Sequence, residues 1–134
     1  MELFIQQLLN GLVLGSVYSL VAIGYTMVYG ILQLINFAHG EVLMMGAMVA
    51  LTLVTILQIN FPLLDPVLVL LLATVSASAV CAVLAASIEK IAYRPLRKAP
   101  RLSPLITAIG ISIILQTLAM IIWGPNPRVF PDLL

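Results

Sequence analysis

Charge is nearly absent from this chain: Asp, Glu, Lys and Arg make up 8% of its 134 residues, while 63% are hydrophobic. A soluble domain is nearer a quarter charged and half apolar. That shortage excludes a stable soluble domain and leaves an integral membrane protein. Cysteine is scarcer still. The single thiol, Cys81, excludes an intramolecular disulfide and argues against a cysteine-based metal site, so no metal is expected. With one histidine, His39, there is no arguable Ser–His–acid arrangement, and neither a Walker lysine motif nor a glycine-rich nucleotide loop is present. The chain is therefore expected to be neither an ATPase by itself nor an enzyme, and to carry no cofactor. A net charge of +1 gives no footing for nucleic acid.

What is there is long apolar runs. A bilayer core of about 30 Å takes about 20 helical residues. The charge-free run from residue 3 to residue 38 would extend about 54 Å as one helix, more than one crossing and short for two. The expected fold is all-α, a single polytopic membrane domain over residues 1–134 with about four transmembrane helices. They are placed at about 7–30, 42–58, 67–88 and 105–123. The start, MELFIQQLLNG, lacks the basic segment of a signal peptide and reads as part of the first span. QINFPLLDP at 58–66 reads as a short loop, Trp123 as an interfacial residue, and GPNPRVFPDLL as a tail leaving the membrane.

Five of the six basic residues, Lys90, Arg94, Arg97, Lys98 and Arg101, fall between the third and fourth spans. Positive residues in short loops stay cytoplasmic, so this loop is expected inside and the N-terminus outside. Topology accounts for these charges fully, and binding to an acidic partner or anionic lipid would be additional. If residues 24–41 fold instead as a re-entrant element, the N-terminus changes sides.

Between the first two spans lies INFAHGE, a polar cluster set between stretches suited to lipid. Unpaired backbone groups cost several kcal/mol in hydrocarbon, so a broken helix persists only inside protein or beside a watery cavity. Asn36 can cap a helix starting near Ala38, Gly40 allows close backbone approach, and Glu41 complements the dipole of the second span. An ordinary wetted turn explains the same residue types.

Along the first span, Gly11, Tyr18, Ala22, Tyr25 and Tyr29 share a stripe, and Gly11 with Gly15 forms a GxxxG pair suited to close packing. Tyr25 and Tyr29 could line a polar path, although helix packing with satisfied hydroxyls explains them more simply. Ala73, Ala77, Cys81 and Ala85 form a small-residue ridge on the third span. Met44, Met45 and Met48 read as adaptable filler, since no other soft ligand is nearby.

The stretch NGLVLGSVYSLVAIGYTMVYGILQLINFAHGEVLMMGA (10–47), with IEKIAYRPLRKAPRLSPLITAIGISIILQ (88–116), resembles the start of the shorter permease subunit of bacterial high-affinity branched-chain amino acid ABC importers. The resemblance covers nearly the whole chain. It implies a multi-pass protein of the bacterial inner membrane that translocates leucine, isoleucine, valine or related amino acids and amides. It also implies a second permease subunit, two cytoplasmic ATPase subunits that use the ATP, and a separate substrate-binding protein. Members of that family continue well past Leu134 with more spans and an ATPase-docking loop, so the chain is expected to correspond to their N-terminal part. Asn36, His39, Gly40 and Glu41, with Tyr25 and Tyr29, are then the candidates for the translocation path. A small homodimeric four-helix exporter titrating Glu41 is the alternative, and a passive channel ranks third.

Overall fold

A computed structural model describes residues 1–133. It contains four long helices: α1 (Glu2–Leu32), α2 (His39–Asn60), α3 (Pro66–Ile88) and α4 (Leu102–Trp123). All four are long and apolar enough to cross a membrane, and no strand occurs among the described residues. The all-α, four-helix expectation is met.

The boundaries differ from the sequence reading in several places: α1 starts at Glu2 and not near 7, and α2 starts at His39 and not near 42, so His39, Gly40 and Glu41 form its first turn and only 33–38 make the break. The first helix runs on to Leu32, so residues 24–32 belong to it and not to a re-entrant element. It stops where Gln33 turns left-handed at φ 55°, its amide N–H donating to the Tyr29 carbonyl at 2.8 Å. The expected basic loop, 89–104, is mostly helical. A π-helical turn (Glu89–Tyr93) and a 3-10 turn (Arg94–Leu96) continue α3, leaving only 97–101 before α4. Pro95 explains the distortion: it has no N–H to give and its ring crowds the carbonyl four residues back, so the helix widens before it.

The tightest pairing is between α2 and α3. Asp65 starts α3 by accepting from the Val67 N–H at 2.9 Å, with Pro66 in the first turn, an N-cap arrangement that folds α3 back along α2. Val54, Val69 and Ala73 form the buried centre, flanked by Leu53, Leu57 and Leu133 from the tail. Of the small-residue ridge on α3, Ala73 is buried and Ala77 and Cys81 are half-buried, whereas Ala85 is exposed and lies off the contact. Gly46 is the matching small position on α2: a Cβ there would come within 2.5 Å of Cys81 Sγ.

Helix α1 behaves differently. None of its residues is buried, and a Cβ at Gly11 or Gly15 would meet nothing of this chain within 4 Å. The GxxxG pair therefore makes no packing contact within the chain. Its apolar surface is the kind that lipid or neighbouring helices cover.

Three contacts fix where α2 begins relative to its neighbours. His39 packs on Tyr25 of α1, seven residues before Leu32. Cys81 of α3 reaches the Val42 carbonyl at 3.4 Å, eight residues before the first charge at Glu89. Glu41 meets Ser112 of α4, ten residues beyond Leu102. At 1.5 Å rise per residue these offsets are about 10, 12 and 15 Å at His39, Val42 and Glu41, which puts the first residue of α2, His39, about 8–12 Å in. Helix α2 thus starts well inside the bundle, with residues 33–38 folding inward to reach it.

Candidate functional site

The six residues between α1 and α2 carry little regular structure, so their polar groups are settled by long-range contacts. Asn36 is the centre of one set. Its Oδ1 accepts from the Ala38 N–H at 3.1 Å and from the Tyr93 hydroxyl at 2.8 Å, while its carbonyl accepts from the His39 N–H at 3.1 Å. The sequence predicted a cap. The structure shows instead an Asx-type turn at Asn36, two residues before the N-cap position, which Ala38 occupies with no side-chain cap. Tyr93, 57 residues away, ties this turn to the basic end of α3.

His39 points to a different neighbour. Its ring lies edge-on to Tyr25, centroids 4.7 Å apart at 65°. The approach needs Gly24, where an added Cβ would fall 2.5 Å from His39 Nε2. Gly40 sits beneath the same tyrosine, and a Cβ there would lie 3.4 Å from the Tyr25 hydroxyl. Tyr29 is exposed and is not brought to these polar groups; it lines a shallow hollow with Tyr25, Thr26 and Ile35.

Glu41 turns to α4. Its Oε1 accepts from Gln116 Nε2 at 2.7 Å and from Ser112 Oγ at 3.2 Å. The sequence reading puts Glu41 at a span end, which is true of its own helix but not of the bundle, because Glu41 itself lies about 10–15 Å inside it. Among the described residues no cation pairs with it: the ion pairs join Glu89 to Arg97 at 2.9 Å and to Arg94 at 3.6 Å. Farther along α4, the Trp123 indole donates to Thr52 Oγ1 at 2.8 Å, so two polar contacts hold α4 parallel to α2.

The three polar residues of the break therefore reach three different helices. At the basic end, the 33–36 connection, Tyr93, Arg97 and Arg101 surround a half-open cavity of about 270 Å³ with largely apolar walls. Lys90, Arg94, Arg97, Lys98 and Arg101 are all exposed, and exposed ion pairs of this kind contribute about 0–1 kcal/mol. Among the described residues no cluster of three or more His, Cys, Asp or Glu side chains is placed to hold a metal ion.

Sequence reasoning missed Gly24, Gly46, Tyr93, Ser112 and Gln116. Gln116 carries the one readable signal, as the only residue in α4 with a side-chain amide or charge. The two glycines looked like any others in an apolar helix.

Comparison with known proteins identifies the family. Residues 7–129 match the family described as branched-chain amino acid transport system, permease component. The high-affinity branched-chain amino acid transport system permease protein BraD of Pseudomonas aeruginosa is 50% identical over 132 residues, covering 98% of this chain and 42% of that protein. The corresponding permease protein LivH of Escherichia coli K12 is 45% identical over 131 residues, covering 97% and 42%, and LivH of Salmonella typhimurium is 44% identical over the same length. The chain thus spans less than half the length of these relatives. No solved structure matches. With nearly its whole length matched, the chain belongs to the family of permease components of branched-chain amino acid transport systems.

Proposed function

We propose that this chain supplies the opening helices of a membrane permease that moves branched-chain amino acids inward, in an ABC importer. The observation that carries the reading is the 50% identity to a named high-affinity branched-chain amino acid permease over 98% of the chain. The importer works with a second permease subunit, two cytoplasmic ATPases and an external binding protein in the bacterial inner membrane, and the permease itself catalyses no reaction. The basic turn faces the cytoplasm, in keeping with the positive-inside tendency.

The polar break supplies a place for the substrate. A broken helix whose polar groups lie inside a bundle is the arrangement transporters use at a binding site between repeats or subunits. Asn36, His39, Gly40 and Glu41, with Tyr25, lie along one side of the path. Tyr29 belongs near its edge, and Gly11 and Gly15 face another helix of the assembly.

In membrane vesicles bearing the assembled importer, leucine uptake is expected to require ATP and the binding protein and to persist when the proton gradient is collapsed. Leucine efflux that follows the proton gradient, with no ATP-dependent uptake, would favour the exporter with Glu41 as its titrating group and would end the importer reading.

A further inference from the structure

Among the described residues Glu41 is the one carboxylate set along the bundle and away from its ends; it is half-buried beside an exposed Gln116, and its surroundings are unbalanced. Both neighbouring donors, Ser112 and Gln116, converge on Oε1. Oε2 accepts no hydrogen bond from the described residues, yet it is not sealed away, because no buried side-chain oxygen is left without a partner. The cations of the chain lie on 90–101 and at Arg128, none of them paired with Glu41. A carboxylate about 10–15 Å from the bundle's end, with no counter-ion among the described residues, is costly in a membrane, and such groups pair or serve a substrate path.

We propose that Glu41 Oε2 receives the ammonium group of the amino acid in transit, with Ser112 and Gln116 as positioning residues that fix the carboxylate through its other oxygen. This rests on the importer reading above and deepens it by naming which end of the substrate meets α2. The chemistry fits: an α-ammonium offers three N–H donors and one positive charge. Two donors on Oε1 leave the second oxygen without a partner among the described residues. Rotation of the carboxylate is restrained by contacts from one face of α4, four residues and so about one turn apart.

The test uses the assembled importer in vesicles, competing labelled leucine binding with two half-substrates. One is 3-methylbutylamine, which keeps the ammonium and lacks the carboxylate; the other is 4-methylpentanoate, which has the reverse. Glu41→Gln is expected to weaken competition by the amine at least about tenfold, the scale of one charge-assisted hydrogen bond, while competition by the acid stays within about twofold. Gln116→Leu is expected to weaken the amine about three- to tenfold, and Glu41→Asp to recover part of the loss. If both half-substrates lose competition equally in a protein that still assembles, Glu41 serves packing and the proposal is overturned. If neither loses competition, it is overturned as well. A wild-type importer that takes up no leucine would instead sink the importer reading, and this assignment with it.

Discussion

Gly46→Ala is expected to lower the stability of the helical hairpin by about 1–3 kcal/mol, the usual cost of forcing an extra methyl into a packed contact. The added Cβ would fall 2.5 Å from Cys81 Sγ, and Gly46 is itself buried. The sulfur cannot simply swing away without giving up the Val42 carbonyl it reaches at 3.4 Å. Helices α2 and α3 must separate instead. That separation propagates, because Val54, Val69 and Ala73 pack farther along the same seam. Removing the sulfur should remove the clash, so Cys81→Ala is expected to restore most of the loss when combined with Gly46→Ala, a coupling visible in a double-mutant cycle. Thermal unfolding in detergent would measure it. Full stability in Gly46→Ala, or no recovery in the double variant, would show that the two helices do not meet there.

The second large effect is expected at Asn36. Alanine there strips partners from two donors at once, the Ala38 N–H and the Tyr93 hydroxyl. A donor left unsatisfied away from water costs about 1–3 kcal/mol. Asn36 is half-buried, so water can recover part of the loss, and about 2 kcal/mol is the expected net cost. Tyr93→Phe removes only one of the contacts and should cost about 1 kcal/mol. The double variant should cost less than the two together, since both changes break the same bond. Uptake should fall with Asn36→Ala by more than the loss of folded protein explains, because the turn sets where α2 begins. Additive costs would mean that the Tyr93–Asn36 bond contributes nothing.

The architecture was legible because the physics behind it is local. Four apolar runs of membrane length and one cluster of cations are enough to place helices and their connections. The errors were also local ones. The sequence pattern at 89–96 reads as loop and the structure shows distorted helical turns, because proline and charge mark loops more often than a widened helix end. Where the helices lie against one another was not legible. Glu41 looked terminal because periodicity locates a residue in its own helix only, and its depth is set by Ser112, Cys81 and Tyr25 from three other elements. Gly24 and Gly46 matter through a single atom each, His39 Nε2 and Cys81 Sγ, and no spacing rule in one sequence pairs residues across helices. The capping role expected of Asn36 is not seen, since Ala38 stands at the N-cap; only its local bond to the N–H two residues on was within reach of sequence spacing.

On the contacts of His39, Glu41 and Val42, α2 begins inside the membrane and not at its edge. The depth of a spin label at Leu43→Cys, compared with one at Leu102→Cys, tests this directly, in the assembled importer with Cys81→Ala to remove the native thiol. Both positions are open, 50% and 66% exposed. Collision with lipid-soluble oxygen and with a water-soluble nickel chelate gives each label's depth. The label at position 43 is expected to lie at least about 10 Å deeper than that at 102, from the rise along α3 and α4. Equal depths to within a few ångströms would place the polar break in bulk water and contradict the account.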